Sequence, residues 1–301
     1  MKLLIAGGSG FLGNVLMKRL QNSFTENVIL SRQAKASHSN VRYVVWDAKT
    51  LGEWQHELDG ADVVINLTGK NVNCRYTKKN KAEILHSRLK STHILGKAIR
   101  SAQNPPKLWI QAASSTIYNH AFQPHDENSN NIGDDFSMTV CKEWERTFWE
   151  ESCPNTKKVL MRIAIVLGRG GGAWPTLKRL TRFGLGGMQG NGNQKISWIH
   201  EHDFARAVEW LMTNGKCNGV YNICSPTVAT NKQFMAVARK AIGNPLGLPA
   251  PEWLLTIGAA LIGTDTELVL KSRCVSPKNL LTEGFQFEYS DLEKAISNLT
   301  E

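Results

Sequence analysis

The chain has 301 residues, 42% hydrophobic and 21% charged, the composition of an ordinary globular protein rather than a disordered one, and long enough for one large α/β domain with an elaborated end or two domains sharing a core. No stretch approaches the roughly 18 consecutive apolar residues of a membrane span, and the six cysteines form no C-x-x-C pair and sit with no histidine cluster, which argues against a metal site or a disulfide framework. The formal net charge of +10 is spread along the chain except at Lys78, Lys79, Lys81, Arg88 and Lys90, a cluster that reads either as a solvated helix face or as help in binding a phosphate-rich cofactor. No recognition motif accompanies it, so no nucleic-acid partner is expected.

The first apolar run, residues 2–6, is too short for a signal-peptide core and reads as a buried strand. A cytoplasmic or organelle-matrix location, with reduced thiols and no membrane partner, is expected. The run leads into Gly7-Gly8-Ser9-Gly10-Phe11-Leu12-Gly13 and then an amphipathic stretch at 13–21. Strand, glycine loop and helix in that order suit a dinucleotide. The glycines allow a tight turn and close backbone approach to a pyrophosphate, which then sits on the helix N-terminus. The second run, 27–31, ends in Ser31-Arg32. An acidic residue near this point would grip the ribose 2′-hydroxyl of NAD, whereas a basic one accommodates the 2′-phosphate of NADP, so NADP(H) is the expected cofactor. The third run, 42–46, is followed by Asp47, placed either to approach the adenine or to cap a helix. The fourth, 62–68, reaches Asn66-Leu67-Thr68-Gly69, small residues at a carboxyl strand end of the kind that flank the crevice of an open α/β sheet.

Further runs at 107–113 and 158–167 alternate with amphipathic stretches at 81–102 and 139–151, a spacing that predicts βαβ units and a buried parallel sheet. Beyond residue 167 come glycine-rich loops at 168–172 and 184–192, a helix at 202–213, a strand at 219–224 and a helix at 231–242. Pro245, Pro249 and Pro251 then open a mostly helical region. The predicted fold is α/β, a Rossmann-type doubly wound parallel sheet with a smaller C-terminal substrate lobe. Residues 1–167 plus about 201–242 form the NADP-binding domain, and 168–200 with 243–301 form the lobe.

The glycine loop, Asn66-Leu67-Thr68-Gly69, Arg75-Tyr76-Thr77 and Ser87-Arg88 resemble the short-chain dehydrogenase/reductase superfamily in its extended, epimerase-like branch. Residues 162–172, 183–187, Trp198-Ile199-His200 with Asp203, Pro277-Lys278-Asn279-Leu280 and Gly284-Phe285 extend the resemblance over nearly the whole chain. They bring it closest to the atypical epimerase-family proteins that carry an extra C-terminal domain of unknown function. The resemblance implies that Ser31 and Arg32 meet the 2′-phosphate, that Leu67 and Thr68 lie by the ribose and pyrophosphate, and that Val166 lies by the nicotinamide carboxamide. It makes Glu83 and Arg88 polar contacts to the cofactor, although Arg88 also reads as a solvated helix residue. Relatives in this branch often form homodimers through two packed helices, for which 81–102 and 139–151 are the candidates.

Dehydrogenases of the superfamily use a tyrosine whose pKa is lowered by a lysine four residues on, both on one helix face. Four residues after Tyr43, Tyr76, Tyr118, Tyr221 and Tyr289 stand Asp47, Asn80, Phe122, Ser225 and Glu293, so the pair is absent. Aligned on Glu145, the tyrosine position holds Ser137 and the lysine position Cys141. Ser114 and Ser115 resemble the superfamily's serine-bearing segment, or cap the strand end. Ser114, Ser115, Tyr118 and His200 are the candidate catalytic residues. Lys142 lies next to the lost lysine position, and Asp203 near His200 reads equally as a helix cap. Two functions follow for an unknown small-molecule substrate or partner: an NADP-dependent oxidoreductase or nucleotide-sugar-epimerase-like enzyme with a rebuilt acid–base set, or a non-enzymatic NADP(H)-binding regulatory or interaction protein.

Overall fold

The computed structural model describes residues 1–255 and 270–301; part of the helical region expected after Pro251 lies outside the described residues. Seven parallel strands form the central sheet: β1 (Lys2–Ala6), β2 (Glu26–Ser31), β3 (Val41–Val45), β4 (Val63–Asn66), β5 (Leu108–Ser114), β6 (Lys157–Ile163) and β10 (Gly219–Ile223). Their order is β10-β6-β5-β4-β1-β2-β3, with the reversal between β1 and β4 that creates a crevice at the carboxyl ends. Strands β1, β4 and β5 are apolar on both faces because both are covered. Leu3, Ile5, Ile65 and Ile110 pack beneath α1 (Phe11–Leu20) and α5 (Glu201–Thr213). Leu4, Val64 and Trp109 pack beneath α2 (Lys78–Ser101) and Phe148 of α3 (Phe136–Glu150).

The single run expected at 158–167 is two strands. After β6 the chain breaks at Ala164, and β7 (Ile165–Leu167) pairs instead with β9 (Trp198–His200). An unbroken apolar run carries no mark of this change of partner. Helix α6 (Asn231–Ile242), read from sequence as part of the dinucleotide-binding domain, packs in the lobe. Its Phe234, Met235 and Ala238 join Trp174 of α4 (Trp174–Arg182), Trp198, and Ile296 and Leu299 of the last helix, α8 (Leu292–Thr300). The strand before it, β11 (Ala229–Thr230), pairs with β8 (Lys195–Ile196) from the lobe. A short helix, α7 (Lys278–Thr282), returns to β10. No helix among the described residues is long and apolar enough to cross a membrane.

Candidate functional site

The crevice is built at the carboxyl ends of β1, β2 and β4. Gly7 has a φ of +75°, in the left-handed region that glycine tolerates, and a Cβ there would lie 3.1 Å from the backbone of Leu67 and Thr68. A Cβ on Gly13 would lie 2.1 Å from the Gly8 carbonyl oxygen, so only glycine lets α1 close onto the loop. Gly10 is the N-cap of α1 and brings no side-chain cap, which leaves first-turn amides for an anion.

Ser31 is buried, with its hydroxyl 3.5 Å from that of Ser9. Arg32, next along, is exposed and has no ion-pair partner among the described residues. On the β4 side the Thr68 amide donates to Asn66 Oδ1 at 3.0 Å, while Thr68 Oγ1 is buried without a hydrogen-bond partner. Leaving a buried hydroxyl unsatisfied is costly, and this one lies against the Gly7 turn. Arg88 reaches the same place from α2. A Cβ on Gly69 would lie 3.1 Å from its guanidinium carbon, which stands 5.0 Å over the Trp144 ring. Arg88 donates to the carbonyls of Lys70 (3.1 Å) and Ile84 (3.0 Å), and no carboxylate pairs with it among the described residues. Burial lowers its pKa, but a guanidinium stays charged in proteins, so the crevice has an unneutralised cation on its wall.

Two candidates are engaged by their neighbours. Glu83 is exposed and ion-paired with Lys70, which holds its carboxyl below the usual range, and Lys70 also donates to Asn80 at 2.9 Å. Asp47 accepts from the Lys49 amide (2.8 Å), the Thr50 amide (2.9 Å) and the Thr50 hydroxyl (2.7 Å). Slight burial opposes its ionisation, yet these bonds keep its pKa low. It organises its own turn, and no helix starts there. Lys70 and Trp144 escaped sequence reasoning, because nothing in helical spacing marks one as the partner of Glu83 or the other as the platform under Arg88.

The crevice has a roof. Gly168, Gly171 and Gly172 press on Phe11, with a Cβ on Gly171 only 2.4 Å from that ring. Buried Val166 holds the start of this loop through its carbonyl, which accepts from Ala173 at 3.2 Å. Leu12 packs half-buried against the main core beside it.

The catalytic candidates are each engaged by their own neighbours. Ser114 accepts from the Thr116 amide at 3.2 Å and donates to its hydroxyl at 3.0 Å, capping the turn after β5, and Ser115 is buried beside it. Tyr118 is fully buried, donates to Asn222 at 2.9 Å and accepts from Arg162 at 2.8 Å. Arg162 in turn grips Glu145 through two bonds of 2.9 and 2.8 Å. Burial pushes the Tyr118 phenol up to about 12, against the opposing pull of Arg162, and its two hydrogen bonds make it a buried link between Asn222 and Arg162. His200 caps α5 by accepting from the His202 amide at 3.0 Å and stacks on Tyr289 with ring centres 4.0 Å apart. Burial lowers it to about 4, which favours the neutral imidazole. Asp203 is bonded to the Glu288 and Tyr289 amides and to Arg206. Cys141 is buried with its thiol pushed up to about 12 by desolvation, and Lys142 is turned onto Asp134.

The model of the NAD dependent epimerase/dehydratase family matches residues 3–224, and that of a domain of unknown function, DUF1731, matches residues 250–299. Epimerase family protein YfhF of Bacillus subtilis is 33% identical over 301 residues, covering 99% of this chain and 98% of that protein. Epimerase family protein SDR39U1 of Mus musculus is 31% identical over 304 residues, covering 99% of each. Among solved structures, human epimerase family protein SDR39U1 with NADPH aligns with a TM-score of 0.89 at 30% identity, over 100% of this chain and 99% of that one.

Proposed function

The chain belongs to the NAD dependent epimerase/dehydratase family, and from that premise we propose that it binds NADP(H) in the crevice between β1 and β4 and lacks the family's tyrosine–lysine route to proton transfer. The observation that carries the reading is the crevice itself: a glycine cradle that no side chain can enter, an orphaned Thr68 hydroxyl, and an unpaired, exposed Arg32 at the end of β2. Ser9, Gly10 and the first turn of α1 hold the pyrophosphate, Ser31 and Arg32 the 2′-phosphate, and Thr68 and Arg88 the ribose side. Glu83 and Lys70 strap the β4–α2 loop beside it. Val166 and the roof on Phe11 keep water from the nicotinamide end. When bound, the cofactor supplies hydride chemistry.

A non-enzymatic role as an NADP(H)-binding regulatory or interaction protein is favoured by one observation. Tyr118 is tied to Asn222 and Arg162, His200 to the His202 amide and the Tyr289 ring, and Cys141 is buried. An NADP-dependent enzyme would have to draw its proton from Ser114, Ser115, solvent or the substrate. NADPH is expected to bind more tightly than NADH, and Arg32→Asp to weaken NADPH by roughly 1–3 kcal/mol while leaving NADH nearly unchanged, the scale of a lost charge-assisted hydrogen bond. Fluorescence titration of both cofactors decides it, and equal affinities in the unmutated protein would overturn the assignment.

A further inference from the structure

The lobe carries a surface that the cofactor crevice does not explain. Phe183, Leu185, Leu246, Leu248, Trp253 and Leu254 are all exposed, Phe183 at 77% and Trp253 at 65%. They come from two segments joined by backbone bonds: the Leu248 amide donates to the Gly184 carbonyl and the Ala250 amide to the Met188 carbonyl, each at 2.9 Å. Asn244 ties the end of α6 to this face by donating to the Thr181 carbonyl at 2.9 Å. Scattered apolar residues on a surface are ordinary, whereas a contiguous patch marks an interaction site.

Its charge says what kind. The sequence has no aspartate or glutamate between Glu151 and Glu201, nor between Glu209 and Glu252; α4, α6 and Phe183, Leu185, Leu246 and Leu248 of the patch are drawn from these two acid-free runs, and the exposed Glu252 stands beside Trp253 at the end of the patch. Arg179 and Arg182, on the last turn of α4 beside Phe183, are exposed and lack ion-pair partners among the described residues. A second copy of the same face would set arginine against arginine. An anionic counter-surface would neutralise them, and exposed phenylalanine, leucine and tryptophan beside cations are the side chains that settle at the boundary between headgroups and acyl chains.

We propose that this face docks on an anionic lipid surface, with Phe183 and Trp253 entering the interface and Arg179 and Arg182 meeting phosphate headgroups. Such docking is peripheral, and needs both signals because neither a few apolar side chains nor two cations anchor a protein alone. Helix α4 begins beside the roof over Phe11 and ends at this face, so a docked molecule keeps its cofactor crevice roughly 13 Å away, the length of nine helical residues.

Vesicle co-sedimentation of the full chain tests it. The protein is expected to sediment with phosphatidylcholine–phosphatidylglycerol vesicles and not with phosphatidylcholine alone, and to be released by added salt. Arg179→Ala with Arg182→Ala should lower partitioning about 25-fold, the factor for roughly 1 kcal/mol per arginine. Phe183→Ser with Trp253→Ser should lower it at least tenfold while NADPH affinity, read as a check on folding, stays within twofold. No sedimentation with anionic vesicles overturns the proposal. So does a dimer by analytical ultracentrifugation that the Phe183/Trp253 pair abolishes, or binding to duplex DNA as tight as to vesicles and indifferent to that pair.

Discussion

His200 shows how environment decides what a residue can do. A histidine after Trp198-Ile199, with Asp203 three residues on, reads as a general acid. The fold gives its Nδ1 to the amide of His202, lays its ring on Tyr289 and gives both Asp203 oxygens to the C-terminal chain. Its pKa falls from the ordinary 6.5 to about 4 because burial penalises the imidazolium. The unfolded chain takes up this proton below pH 6.5 and the folded one resists to about 4, so His200's contribution is complete above 6.5 and is lost as pH falls through that window. Unfolding free energy should drop by about 3 kcal/mol across it on this account. His200→Asn, which can still cap α5, should remove that portion of the pH slope in denaturant titrations at successive pH values. An unchanged slope would place the protonation elsewhere.

At the scale of elements, the glycine loop and α3 behave oppositely. The loop was legible because its geometry is enforced by contacts that only glycine permits. Gly13→Ala would drive a methyl to 2.1 Å from the Gly8 carbonyl, pushing α1 off the loop. We expect a loss of about 3 kcal/mol of stability by chemical unfolding and of measurable NADPH binding by titration. In α3 the sequence revealed an absence, the missing tyrosine–lysine pair, but not what stands there. The lysine position, Cys141, lies buried within the field of Arg88, which reaches across from α2 onto Trp144. A lysine restored at 141 would set a second cation against the first in a desolvated site. Cys141→Lys should therefore destabilise the apoprotein more in the native background than in one carrying Arg88→Leu, with a coupling of about 1 kcal/mol or more in a double-mutant cycle. Additive effects would mean that the two positions do not feel each other.

At the scale of the molecule, what could be read in advance followed from local rules, and what could not depended on long-range choices. Strand–helix alternation and two-sided apolar runs gave the sheet, because buried parallel strands leave a pattern within each segment. The break at Ala164, the docking of α6 in the lobe and the burial of Tyr118 between Arg162 and Asn222 depend on partners far along the chain, for which a single sequence has no signal. The roof over the crevice depends on such partners too. It continues into α4, and that whole stretch is held by the last carbonyls of α8: Asn298 accepts from Arg169 at 2.7 Å, Leu299 from Trp174 at 3.2 Å and Thr300 from Lys178 at 3.1 Å. During synthesis the glycine loop precedes the anchor of its roof by almost 290 residues. At translation rates of roughly 5–20 residues per second, the nascent protein carries the cradle for roughly 15–60 s before the carbonyls that anchor its roof are made.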